Sequence, residues 1–146
     1  MTRFRIAGEY DVFDARRGVR WEALATGFST QVAEELCIVA SELGTNILKY
    51  GIRGELLVER QTHVHWGPGL RLTACDIGPP FFNLDQALLD GHDDKGPLDP
   101  ALLAGRRGIG GGLGAVVRLT DDLEVVTTDP GKKIIVVRWL GRPRRR

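Results

Sequence analysis

Residues 105–114 read GRRGIGGGLG, with glycine at 108, 110, 111, 112 and 114. Glycine at this density marks backbone that must pass close to something, or adopt angles that other residues avoid. Three phosphate-cradling devices use such runs: the dinucleotide fingerprint, the P-loop and a glycine-rich lid over a nucleotide. A flexible linker with no ligand is the plainer alternative. Any fold for this chain must give the run a neighbour or leave it as a loop.

The flanking residues narrow the choice. The dinucleotide device needs a strand before the glycines and an acidic residue after the next strand of a βαβ unit. Here LDPALLAGRR precedes the run and reads as loop or helix, and a hairpin follows it. A P-loop ends in Gly-Lys-Ser/Thr, whereas Gly112 is followed by Leu113 and Gly114. The lid and the linker remain.

Elsewhere the chain reads as one domain over 1–141 followed by a basic tail, 142–146. At 146 residues it is long enough to bury a sizeable core. Arg142, Arg144, Arg145 and Arg146 outweigh the whole net charge of +1, so the body is slightly acidic and the tail reads as solvated and frayed. Neither nucleic acid nor membrane is expected as a partner. Cys37 and Cys75 sit in apolar stretches without metal-ligand spacing. With no signal-peptide run and no apolar stretch of spanning length, a cytoplasmic setting is expected.

Residues 3–7 alternate as a strand, and Val12 to about Thr26 turns helical. Ser29 or Thr30 can cap a second helix over about 31–50, whose Leu36, Val39, Ala40, Leu43, Ile47 and Tyr50 form one core-facing stripe until Gly51 stops it. GELLVERQTHV and LRLTACD form a hairpin around a turn at Gly67–Gly69. NLDQALLDG reads as a short helix before a long loop, and a helix starting in the glycine run continues through LGAVVRLT. DLEVVTT and KIIVVRWL close the chain as a second hairpin around DPGK. The sum is an α+β, two-layer sandwich: a mixed, mostly antiparallel sheet of about five strands with helices on one face.

On the second helix Glu42, Asn46 and Lys49 fall within roughly 60° of one another beside the apolar stripe. A carboxylate, an amide and an ammonium there suit a magnesium-phosphate site, and a solvated amphipathic flank is the plainer account. Asp76 ends the strand LTACD beside Gly78, Pro79 and Pro80. Its carboxylate can accept a hydrogen bond from an exocyclic amine, or simply serve the turn.

The three features together, in this order, resemble the Bergerat-fold (GHKL) ATPases. SELGTNILKYG resembles their asparagine box, DIGPP their first glycine box and GIGGGLG their second. Within that superfamily, IAGEYDVFDARRGVRWEALATGFS, IVASELGTNILKYG and KKIIVVRWL are similar to the RsbT-like serine kinases and anti-sigma regulators of bacterial partner-switching stress modules. The likeness runs over nearly the whole chain.

The resemblance implies ATP and Mg²⁺ as ligands and phosphoryl transfer to a protein serine as the reaction. Glu42 would be the catalytic base and Asn46 the metal ligand. Lys49 would touch phosphate, Asp76 would receive the adenine amine, and Tyr50 and Gly78 would belong to the same nucleotide-binding set. Gly108, Gly110, Gly112, Leu113 and Gly114 would wrap the phosphates where the next helix begins. The implied phosphoacceptor is a STAS-domain protein, with a metal-dependent serine/threonine phosphatase or a sigma factor downstream. A non-catalytic ATP-binding adaptor that captures such partners is the alternative. Pro80 departs from the first glycine box, and the lid over 92–107 is long, bringing Lys95, Arg106 and Arg107. His63, His65 and His92 form no metal set, and Trp21, Trp66 and Trp139 read as core or edge residues.

Overall fold

The computed structural model describes residues 1–78, 92–93, 96–97 and 112–144. Strand β1 (Thr2–Ile6) leads into helices α1 (Glu9–Thr26) and α2 (Thr30–Tyr50). The hairpin β2 (Gly54–His63) and β3 (Gly67–Asp76) follows. Helix α3 (Leu113–Leu119) then precedes the closing hairpin β4 (Asp122–Thr127) and β5 (Lys132–Trp139). A two-residue ladder joins His92–Asp93 to Gly96–Pro97. The expected helix over 83–91, Pro80, and the lid residues Lys95, Arg106 and Arg107 lie outside the described residues.

The main sheet has five strands in the order β1-β2-β3-β5-β4. The expected sheet was mixed, but every pairing in the five-stranded sheet is antiparallel. The reason is geometric. Two helices lie between β1 and β2, so the chain returns to the end of the sheet that it left, and the next strand must run back.

Period-two alternation supplies one apolar face. Leu56 and Val58 of β2, Leu70, Leu72 and Ala74 of β3, and Ile134 and Val136 of β5 are all buried. The register sets Leu56 opposite Ala74, Ala74 opposite Ile134, Val58 opposite Leu72, and Leu72 opposite Val136. Leu36, Val39, Ala40, Leu43 and Ile47 of α2 complete the same core, with Ala15, Val19 and Ala23 of α1. The helix stripe is thus as expected, with Tyr50 only half-buried at its end.

Local boundaries differ where side chains rescue backbone donors. α1 starts at Glu9 rather than Val12, because the Asp11 carboxylate accepts hydrogen bonds from the N–H groups of Ala7 and Gly8 at 2.8 and 2.9 Å. Ser29 caps α2, its hydroxyl accepting from the Val32 N–H at 3.2 Å. The first hairpin turns at 64–66, not at Gly67–Gly69, because His63 Nδ1 accepts from the N–H groups of His65 and Trp66. Trp21 is neither core nor edge: it is 72% exposed on the outer side of α1.

Candidate functional site

The alternation that builds the core also carries two basic side chains inward. On β5, Lys132 and Arg138 share the face of Ile134 and Val136, one at each end of the apolar stretch. Both are buried. A buried ammonium or guanidinium requires a partner, and each has one. Arg138 donates to Glu35 of α2 and to the Leu119 carbonyl, both at 3.0 Å. Lys132 Nζ lies 2.9 Å from Asp76 Oδ1, its register partner on β3.

Asp76 falls on the helix-facing side because it continues the sequence Leu70, Leu72, Ala74 at period two. Its Oδ1 accepts from Lys132 and also from the Gly78 N–H at 2.7 Å. Oδ2 takes no hydrogen bond among the described residues. The carboxylate is therefore anchored by one oxygen and offers the other.

Three chain segments meet around it. Gly51 ends α2 with extended backbone, and its Cα hydrogens point at Asp76: a Cβ there would lie 2.9 Å from the carboxylate carbon. This close approach, rather than a left-handed turn, is what glycine permits at the helix end. Gly78 is equally tight against Asp76 Oδ1 and the Tyr50 carbonyl. Gly131, at φ +108°, would place a Cβ 2.1 Å from the Asp76 carbonyl oxygen. The Ile77 N–H donates to the Ile52 carbonyl at 2.9 Å, tying the exit of β3 to the loop after α2.

From this junction α2 runs back through the other predicted side chains. Glu42 is 2% exposed, Asn46 and Tyr50 are half-buried, and Lys49 is exposed. The polar stripe is therefore graded from core to solvent. At about 1.5 Å of rise per residue, Glu42 stands roughly 12 Å along the axis from Tyr50. Gly112, at φ 66° and ψ −132°, leads into α3, where Leu113 and Gly114 are buried. α3 packs on α2, so the end of the glycine run reaches the same helix. Gly108 and Gly110 lie outside the described residues.

Lys132 was expected to end the DPGK turn, with the strand starting at Lys133; instead it is the first residue of β5 and points inward. An inward register on an otherwise apolar strand is the signal that marks it. On the outer face of β3, burial pushes the Cys75 thiol up, as it does Cys37 on α2. No group of metal-ligating side chains occurs among the described residues, His63 and His65 included. A cleft of about 700 Å³ opens between Arg5, Leu48, Gly51 and Arg53; Gly51 is its one residue from the Asp76 junction, and its lining contains none of Glu42, Asn46, Lys49 or Asp76. Among the described residues no helix is long and apolar enough to cross a membrane.

The fold has counterparts among known proteins. The model of the histidine kinase-like ATPase domain matches residues 10–139, from the first turn of α1 to the end of β5. Serine/threonine-protein kinase RsbT of Bacillus subtilis (strain 168) is 30% identical over 137 residues, which cover 93% of this chain and 94% of that protein. The family match embraces α1 from its first turn, α2, α3, the four strands β2–β5 and the Asp76 junction, and by it the chain belongs to the histidine kinase-like ATPase domain family as an RsbT-like member.

Proposed function

We propose that the chain is an ATP-dependent serine kinase, acting in the cytoplasm on a STAS-domain protein within a partner-switching module. The observation that carries this reading is the junction at Asp76. A buried carboxylate is fixed through one oxygen, offers the other, and sits against the end of the helix that bears Glu42 and Asn46. The residues fit a purine nucleotide with its magnesium: an acceptor for an exocyclic amine at one end, an amide about one turn and an acid about two turns back along α2, and the bare peptide of Gly112 and Gly114 at the start of the helix packed against α2.

The bound nucleotide supplies the γ-phosphoryl group, and its magnesium offsets the phosphate charge. Asp76 Oδ2 accepts the adenine amine, while Gly51, Gly78 and Gly131 keep the surrounding backbone close enough to wall the base. Asn46 offers its amide oxygen to the metal. Lys49, exposed on the last turn of α2, reaches phosphate oxygens from the solvent side. Backbone N–H groups at Gly112, Leu113 and Gly114, with Gly108 and Gly110 before them, complete the phosphate cradle.

Glu42 accepts the proton of the attacking serine hydroxyl. Its position in the middle of α2, almost fully buried, keeps bulk water from competing for that proton. Catalysis is then chiefly positioning and charge neutralisation. A metal-dependent phosphatase or a sigma factor is the proposed target of the kinase once its substrate is modified.

The test is phosphotransfer from Mg-ATP to a purified STAS-domain protein. Wild type is expected to form phosphoserine, and Glu42→Ala to lose it by at least 100-fold while keeping its affinity for Mg-ATP by calorimetry. Binding without transfer by wild type would identify a non-catalytic adaptor. Absence of Mg-ATP binding would remove the nucleotide site altogether.

A further inference from the structure

α1 is apolar on two opposite sides. Ala15, Val19 and Ala23 face the core, fully buried. On the far side Tyr10, Phe13, Trp21 and Leu24 are 87, 56, 72 and 38% exposed. These four fall within roughly 80° on a 3.6-residue wheel. An exposed aromatic stripe along a whole helix is the usual mark of an interface, since single scattered apolar residues would not align. Arg16 lies over the Phe13 ring, 5.8 Å from its centroid, so the stripe carries charge along its margin.

The order of residues along the stripe indicates what covers it. The positions 10, 13, 14, 17, 20, 21 and 24 are symmetric about Arg17. Tyr10 mirrors Leu24, Phe13 mirrors Trp21, and acidic Asp14 mirrors basic Arg20. A two-fold axis through Arg17 would lay an identical helix antiparallel on this one, which is the self-complementarity that an isologous contact demands. It would stack aromatic on aromatic and set acid against base.

The charges support the same occupant. Asp14 and Arg17 make no ion pair among the described residues, although they lie one turn apart on the same helix. Arg20 is held by Glu34 of α2 at 2.7 Å. In the antiparallel pair each Arg17 meets its counterpart on the axis and lies one turn from the other copy's Asp14, which offsets the like-charge contact. We infer that α1 is a homodimerisation face, on which a second copy of this chain packs its own α1 antiparallel about Arg17. A face one helix wide falls at the small end of specific interfaces, about 1,200 Å² or less in total, so association in the micromolar range is expected.

Charge exchange tests this without relying on a single disrupted fold. Sedimentation of the full chain between about 1 and 200 μM should show a monomer–dimer equilibrium. Asp14→Arg and Arg17→Asp should each weaken it at least tenfold with unchanged far-UV circular dichroism. Mixing these two variants should give association at least several-fold tighter than either variant alone, because on the axis an arginine at 17 of one chain then meets an aspartate at 17 of the other, with the arginine at 14 one turn from that aspartate. Trp21→Asp should be monomeric. A wild type that stays monomeric overturns the inference, as do single variants that still dimerise or a mixture that does not recover. A monomeric chain that instead binds its STAS-domain substrate through Trp21 assigns the face to that protein and overturns it equally.

Discussion

Lys132 and Asp76 form a pair that neither strand could tolerate alone. Each is almost fully buried, with side chains 2 and 4% exposed, and each is the other's cross-strand neighbour. Taking one charge away leaves the other desolvated. Lys132→Met is therefore expected to cost about 3–5 kcal/mol in urea unfolding, and adding Asp76→Asn should recover part of that loss. A double variant no more stable than the single would show that the pair is not the source. Asp76 was legible in the sequence as a carboxylate ending an apolar strand. Its partner was not, because two adjacent lysines at a strand start look like solvated charge until the register fixes which of them points inward. Glu42 was legible as a residue bordering the core, yet its depth, 2% exposed, depends on tertiary packing around α2 that no local pattern encodes.

Among the elements, helices were easier to read than turns. The stripe of α2 announces itself over 21 residues, whereas the first hairpin turn is decided by a single imidazole nitrogen that collects two N–H groups. The closing hairpin has a comparable local device. Asp122 loses some hydration on burial, which raises its pKa, but hydrogen bonds from the Trp139 indole and Arg142 outweigh this and hold it below the ordinary 3.8. A carboxyl lowered in the folded state stabilises above its unfolded pKa, and that contribution disappears as pH falls through the folded value. The urea midpoint should therefore drop between about pH 5 and pH 3, and Asp122→Asn should shrink the drop. The effect will be modest, since the Asp122 side chain is about half exposed and salt screens it. Arg144, paired with Asp121 at 2.6 Å, fastens the same end of the chain.

For the molecule as a whole, the two-layer plan was legible because apolar periods of 3.6 and 2 alternate cleanly along the chain. The strand directions were not, because they depend on how many helices intervene between strands rather than on any strand's own residues. Among the described residues, the buried apolar side chains of helices and sheet other than Cys37 and Ala115 join one cluster, so unfolding should be a single cooperative event. Far-UV circular dichroism and tryptophan emission should give coincident transitions, and separated midpoints would indicate that α1 or the closing hairpin comes away first. The five-stranded sheet also closes its helix-facing side with ion pairs at opposite ends, Asp76 with Lys132 and Glu35 with Arg138. The length of α2 between the Asp76 junction and Glu42 acts as a gauge. On the proposed reading, a nucleotide lacking its terminal phosphate still reaches the aspartate but stops short of the glutamate, so the spent cofactor is a competitor by shape and a dead end by chemistry.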